Sequence, residues 1–439
     1  MRRLRAITAA TALCACVAVI HADVPKGIET FDAAWTIVRD THFDSAYNGV
    51  DWNAVRTELR PRAEAAKTTG ELRGVIAAML SRLGQSHFAL VPSSAESAAK
   101  DGSGDPGGGS ATPGFDLRLV GTDILVTGVA REGGAATAGV KPGWRLTAIA
   151  GRPVKDLLQR LPAGLNDRLR GLEAWRLIQS RLRGYEGSAI ELAFEDGAGA
   201  PVQRSVTRQP EHGQPVTFGS LPTMFVRVED AEYKTPAGRR AGLIGFNVWM
   251  PVVDGLFQKS VDRFRDADGI ILDLRGNPGG LAAMLMGISG HFVSERRPLG
   301  IMKTRSTELR FVVNPREVDA ESRAVQVYSG PVAIVVDAMS GSASECFTGG
   351  MQSIGRARVF GQTTMGQALP ALFDKLPNGD ILIHAYGDFV TADGTRLEGR
   401  GVIPDQELPL RREDLLAGRD RSLEAALAWI DTAAGRKSH

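Results

Sequence analysis

Apolar residues recur at helical spacing early in the chain: Phe31, Trp35 and Val38, then Leu72, Val75, Ile76, Met79 and Leu80, with Leu83 behind them. That spacing predicts helices across residues 28–92, forming a helical cap or small bundle. Residues 93–114 (SSAESAAKDGSGDPGGGSATPG) lose the periodicity and read as a flexible Gly/Ser-rich linker. From 115 to 209 short runs alternate apolar and polar positions, as in Ile124-Leu125-Val126 and Ile190, Leu192, Phe194. Glycine turns separate them and a helical stretch covers Leu169 to Leu182, which predicts a small β-rich module. From 215 to 410 strand and helix patterns alternate. The predicted order is a strand Leu243–Trp249, a helix Val252–Phe264, a strand from Asp268, a helix Leu281–Phe292, a strand from Pro331 and a helix Ser344–Ile354. The first of those helices places Val253, Leu256, Phe257, Val261 and Phe264 on its apolar face. Repeated βα units predict an α/β domain. Asn378-Gly379 marks a hairpin between Leu372–Leu376 and Ile381–Tyr386. Residues 411–439 supply a closing helix over Leu423–Ile430 and a tail.

The first 22 residues do not fit this pattern. Arginines at 2, 3 and 5 precede an apolar run, Ala6–Ile20, too short to span a bilayer comfortably, and His21-Ala22 offers a small residue for cleavage. Residues 1–22 therefore read as a signal peptide, with a periplasmic or secreted mature protein; an uncleaved anchor or a lipoprotein processed at Cys16 are the alternatives. Beyond such an anchor, no membrane partner is expected. Cys14 and Cys16 fall in that segment, so the mature chain would keep only Cys346 and no internal disulfide. Without a CxxC pair or an HExxH there is no support for a zinc site, and no cofactor is expected. A net charge of +2 with no basic stripe gives no reason to invoke nucleic acid.

Two stretches carry candidate chemistry. In VVDAMSGSASECFTGGMQ (Val335–Gln352) a strand-like run stops at small residues and a helix-like run follows, with Ser342 at the junction. Free N–H groups and the positive end of a helix dipole favour negative charge there, as an acyl-transfer nucleophile needs. The plainer alternative is that Ser342 or Ser344 only caps the helix. In DGIILDLRGNPGG (Asp268–Gly280) glycines follow a buried strand and let a backbone N–H face a ligand. The two turns could build a nucleophile and an oxyanion hole; they could equally be ordinary βα turns. Cys346, one helical turn on from Ser342, reads as inert packing.

The pair DLRGNPGG and GSASE resembles the tail-specific, or C-terminal processing, serine peptidase family. RLGQSHFALVP (Arg82–Pro92) resembles the histidine motif of its tricorn-like branch, and EGRGVIPD (Glu398–Asp405) the family's closing motif. GGAATAGVKPGWRLTAIAGRPV (Gly133–Val154) is similar to the second half of a PDZ domain. The resemblance implies a crotonase-like ββα spiral for the peptidase domain, with an N-terminal helical cap and an inserted PDZ-like domain at 115–209. It implies Ser342 as nucleophile, with the N–H of Ala343 and that of Gly279 or Gly280 as oxyanion hole. Most members use a lysine in T-x-G-K as base. Here the segment is Thr364-Met365-Gly366-Gln367, and Gln367 cannot accept that proton. The tricorn-like, lysine-lacking branch instead implies His87 as base, with Ser86 and Glu398 completing a relay and Gln367 lining the site. A histidine base predicts activity rising through pH roughly 6–7. On chemistry alone His87 could be a helix-end histidine bonded to a backbone carbonyl. Asp273, Arg275 and Asn277 are expected to hold the loop shape, Glu345 to suit the helix dipole, and His291, His384 and Asp388 to be structural.

The function implied is a serine endopeptidase acting on extended or C-terminal segments of exported proteins, with protein or peptide substrates as its partners. The rival is a catalytically inactive relative that binds peptides or apolar ligands, which the missing lysine favours. A crotonase-type acyl-CoA enzyme is a third reading that the SASE turn and the PDZ resemblance do not suit.

Overall fold

A computed structural model describes residues 27–93, 109–219 and 223–435; the signal-peptide and Cys16 readings lie outside them. Three helices open the described chain: Gly27–Thr41, Trp52–Glu64 and Thr69–Ser81. Asp51 and Thr68 start the second and third by accepting from Ala54 N–H and Glu71 N–H, the usual use of short polar residues at helix starts. Their apolar faces form one core that includes Leu376 and Leu382 of the Asn378-Gly379 hairpin. Trp35 and Trp52 each donate an indole N–H to the other's carbonyl, at 2.9 and 3.1 Å. The helical expectation stops short of a strand, Ala89–Val91, which pairs with Ile381–Ala385 and ties the cap to the larger domain.

The β-rich module is an antiparallel sheet in the order Phe115–Val120, Asp123–Val129, Arg145–Ile149, Ala189–Glu195, Pro201–Thr207, with its own core under the helix Asp167–Leu182. The linker reading needs correction at its end. Ala111 and Thr112 bridge to Gly184 and Gln209, and a Cβ on Gly109 would lie 1.8 Å from the Gly184 carbonyl, so these residues pack on the module. Residues 94–108 lie outside the described chain.

The largest domain is built on a sheet ordered Val228–Lys234, Arg240–Phe246, Gly269–Asp273, Val332–Val336, Arg358–Gly361, Gln406–Glu407. Its first pair is antiparallel and the rest run parallel. The central strands are buried on both faces, as parallel strands under helices are. The helices Val252–Arg263 and Ala343–Ser353 cover one face, and Arg421–Gly435 covers the other. A second sheet, Glu308–Val312, Pro298–Thr304, Gly387–Thr391, backs the helix Ala343–Ser353. The approach is close: a Cβ on Gly350 would meet Leu299 Cβ at 2.8 Å, which accounts for a glycine inside that helix.

Two expectations fail here. Leu281–Phe292 is not one helix but a 3₁₀ turn, Ala282–Met284, and a short helix, Leu285–Ser289. Gly287 and Gly290 weaken it, and at Gly290 the backbone sits so near Asn314 that a Cβ would be 1.8 Å from its carbonyl oxygen. Leu256 is 39% exposed, while the other four apolar positions of its helix are buried. Because Gly269–Asp273 and Val332–Val336 are parallel neighbours, their carboxyl ends deliver the loops 274–281 and 337–342 to one edge, where open α/β sheets place ligands.

Candidate active site

Those two loops are cross-braced before any reactive group is considered. Asp337, at the end of the second strand, accepts from Gly276 N–H and Met339 N–H and from the Arg118 guanidinium of the β-rich module. Burial alone would raise this carboxyl; the Arg118 charge and the N–H bonds outweigh it and hold it below the usual range. Ser340 Oγ donates to Leu274 O, and Gly341 N–H donates to Asn277 O. Arg275 pairs with Asp273 and Asp420, while Asn277 Nδ2 donates to Phe246 O. Asp273, Arg275 and Asn277 thus fix loop shape, as expected from the sequence.

Ser342 stands at φ 50°, ψ −117°. A capping serine sits in the β region, so this is no ordinary N-cap; it is a strained strand-to-helix elbow of the kind that exposes a hydroxyl. The partner loop presses against it: a Cβ on Gly279 would lie 2.6 Å from Ser342 Cβ. Ser344, two positions on, is fully buried, accepts from Trp249 Nε1 at 2.8 Å and donates to Asn277 O at 3.1 Å. The two serines of the motif are therefore distinguished by geometry.

The expected oxyanion donors separate as well. Gly279 N–H already donates to Asn277 Oδ1 at 3.0 Å, which removes it from the pair. Gly280, at φ 138°, bridges to Trp249 through its neighbours' groups: Trp249 N–H donates to Gly279 O and Leu281 N–H to Trp249 O. That leaves Gly280 N–H, and Ala343 N–H in the first turn of the helix, without a protein acceptor among the described residues.

His87 has φ 59°, another backbone position that only context sustains in a non-glycine residue. Ser86 Oγ lies 2.9 Å from Glu398 Oε2 and 2.8 Å from His87 Nδ1. The hydroxyl has one proton and gives it to the carboxylate, so Nδ1 carries the ring proton and donates to Ser86. The Nε2 lone pair of the neutral ring is then available. Burial first, and then the Arg176 charge, hold the imidazole down at about 4. Burial pushes the Glu398 carboxyl up, against the bonds it accepts from Ser86 N–H, Ala368 N–H and Ser86 Oγ.

One peptide group joins these parts. The carbonyl of Gln367 accepts from Ser342 N–H at 2.9 Å, and the N–H on the same peptide unit, that of Ala368, donates to Glu398 Oε2 at 3.0 Å. The serine elbow and the His87–Ser86–Glu398 chain hang on opposite ends of that unit.

The sequence model of peptidase family S41 matches residues 240–408, and that of the tricorn protease C1 domain matches residues 29–81. The larger domain is thus similar to peptidase family S41, and the helical cap to the C1 domain of tricorn protease. A probable CtpA-like serine protease of Staphylococcus saprophyticus is 23% identical over 298 residues, 67% of this chain and 52% of that protein. Its counterpart in Staphylococcus aureus is 24% identical over 296 residues, 66% of this chain and 51% of that protein. The chain thus spans about half the length of the curated relatives it matches. In fold it is similar to the photosystem II D1 C-terminal processing protease, with a TM-score of 0.58 at 21% identity over 92% of this chain and 100% of that one. It is also similar to mature CPAF, with a TM-score of 0.60 at 12% identity over 94% and 98%, and to tricorn protease, with a TM-score of 0.51 at 18% over 93% and 37%.

One group was undervalued by the sequence. Glu345 sits in the first turn of the helix, where an acid suits the dipole, and it is also fully buried. Its Oε1 accepts from Thr364 Oγ1 and Gly366 N–H, and its Oε2 from Gln367 N–H and Ser342 N–H. Burial pushes the carboxyl up to about 7 while all four bonds favour the anion. Three backbone N–H groups and the Thr364 hydroxyl converge on its two oxygens, an arrangement that favours the ionised form. Only the S-A-S-E spacing hinted at this. Of the remaining histidines, His42 bonds Gln85 in the SH motif and stacks on Phe88, and His384 links Thr41 to Asp374. His291 is buried with neither ring nitrogen partnered, Asp388 pairs with Arg396, and burial raises the Cys346 thiol well above its usual range. Among the described residues no group of His, Cys, Asp and Glu is placed to hold a metal ion.

Proposed function

We propose that this chain is a serine endopeptidase of the S41 family in which His87, not a lysine, activates Ser342. The observation that carries the reading is the Gln367–Ala368 peptide unit, bonded to Ser342 on one side and to the Glu398–Ser86–His87 chain on the other. His87 Nε2 takes the Ser342 proton as Oγ attacks the scissile carbonyl. Ala343 N–H and Gly280 N–H receive the oxyanion. The imidazolium that forms keeps its Nδ1 proton toward Ser86 Oγ, whose own proton points to Glu398, so the carboxylate stabilises the charge without becoming protonated. His87 then protonates the leaving amine, and water repeats the sequence on the acyl-enzyme. Gln367 contributes its peptide groups to the frame, and its side chain is proposed to line the site.

The desolvated His87 changes the expected pH dependence. The acid limb belongs near pH 4, where the ring loses its lone pair, not at 6–7. For substrates we infer extended or C-terminal segments of exported proteins. The description of one structural relative as a C-terminal processing protease and the arginine-led apolar start of the chain support this. The β-rich module, read as PDZ-like, has Phe115–Val120 at its sheet edge, open to addition of a peptide strand beside the helix Asp167–Leu182.

The test is hydrolysis of unstructured polypeptides by the parent and by two variants. Ser342→Ala abolishes turnover, while Ser344→Ala keeps much of it at some loss of stability, since Trp249 Nε1 loses its acceptor. Survival of Ser342→Ala, or equal loss in both, refutes the assignment. Gln367 in the lysine slot favours a second reading, an inactive binder of peptides or apolar ligands; in that case Gln367→Lys confers activity on an inert parent.

A further inference from the structure

Beyond the oxyanion turn the chain runs into a cleft of about 710 Å³. Its lining combines apolar residues, among them Pro251, Met284 and Met286, with three arginines, Arg296, Arg310 and Arg316. Asp254 is the one acidic residue of the lining, and it is already paired with Arg316 at 2.7 Å. Arg296 and Arg310 have no carboxylate partner among the described residues, and Arg316 Nε is buried without a hydrogen-bond acceptor. The lining thus carries an excess of positive charge, and one of its arginines keeps a buried N–H without an acceptor.

The cleft lies near the place where a peptide would react. Ala283 is three residues after Gly280, so at most about 11 Å separates them along the chain. Pro251 follows Trp249, which is bridged to Gly280, so a second wall starts from the same point. An extended peptide advances about 3.3 Å per residue and reaches the cleft within roughly four positions of its scissile carbonyl.

We propose that this cleft is a carboxylate-binding subsite that selects substrates with an acidic group within about four residues of the cleaved bond, bound by Arg296, Arg310 and Arg316 beside Met284 and Met286. The proposal rests on the reading that Ser342 receives a peptide. A carboxylate can come from an Asp or Glu side chain or from a free C-terminus, and the arginines suit either.

The experiment measures binding of fluorescent peptides to the Ser342→Ala full chain, separate from catalysis. Matched peptides carry Glu or Gln in turn at each of four positions on either side of the cleaved bond, each with a free or an amidated C-terminus. Cleavage of the same peptides by the parent is measured in parallel. The expected result is an acid-over-amide preference of about tenfold at one position, the scale of one charge-assisted hydrogen bond. That preference falls toward one in Arg296→Ala and Arg310→Ala and weakens with added salt. A Glu/Gln preference identifies a side-chain carboxylate; a preference for the free terminus alone identifies the terminal one. Peptides that are bound and cleaved with no acid preference, or with a preference unchanged in both arginine variants, overturn the subsite and leave the peptidase reading standing. Failure to bind or cleave any peptide overturns both.

Discussion

Ser342 and Ser344 stand two positions apart and meet different surroundings. One is held at a positive φ against Gly279, and the other is buried between Trp249 and Asn277. Glu345 shows what a single buried side chain can organise. Four donors converge on it, two of them the backbone N–H groups of Ser342 and Gln367. Glu345→Gln keeps the shape but turns an NH₂ group toward N–H donors. It should lower stability by about 1–3 kcal/mol, the cost of leaving a buried polar group unmatched, and lower turnover by on the order of a hundredfold through the displaced elbow. Thermal unfolding together with kcat of the folded fraction checks both. The sequence made the elbow legible because a strand, a small-residue turn and a helix are local. It could not reveal the cage, because Thr364–Gln367 comes from a loop about twenty residues on, and only packing brings it to Glu345. The choice of Gly280 over Gly279 was illegible for the same reason: it depends on which N–H the Asn277 side chain takes.

Among elements, periodicity found the helices that bury a continuous apolar face, such as Val252–Arg263, and lost Leu281–Phe292, where a neighbouring backbone pressed on Gly290 sets the geometry. The helix Asp167–Leu182 of the β-rich module was legible as a helix but not as a brace. Its Arg168 donates to the carbonyls of Thr364, Gly399 and Arg400. Leu172 and Trp175 pack against Met339 and Met365. These carbonyls flank the two segments that present Glu398 and the Gln367–Ala368 peptide. Arg168→Ala should therefore reduce kcat by about tenfold or more, the scale of losing a charge-assisted bond, with little change in peptide KM. Steady-state kinetics on one fluorogenic peptide decides this, and an unchanged kcat contradicts the brace.

At the scale of the molecule, the helical cap matters because it delivers His87 to a domain that begins more than a hundred residues later. Its anchor is Arg73, paired at 2.7 Å with the fully buried Asp380 of the hairpin. Burial alone would raise the Asp380 carboxyl; the Arg73 bonds and the N–H of Ser93 outweigh it and lower it. A lowered folded-state value means this pair stabilises the protein above about pH 4, the unfolded carboxylate's range, and ceases to as pH falls through the folded value. Arg73→Ala leaves the carboxylate buried and should cost about 3–5 kcal/mol at neutral pH, with the difference from the parent shrinking in acid; unfolding measured across that range tests the sign. The proposed mechanism turns on His87 acting as the base for Ser342. The rate at which a fluorophosphonate labels the full chain, followed from pH 3.5 to 9 or as far as it stays folded, tests that most directly. The predicted result is labelling at Ser342 that falls only as pH drops toward about 4, is level through neutrality, and is lost in His87→Ala. An unlabelled parent, a rate that climbs through alkaline pH, or a His87→Ala protein that labels at near-parental rate would contradict it.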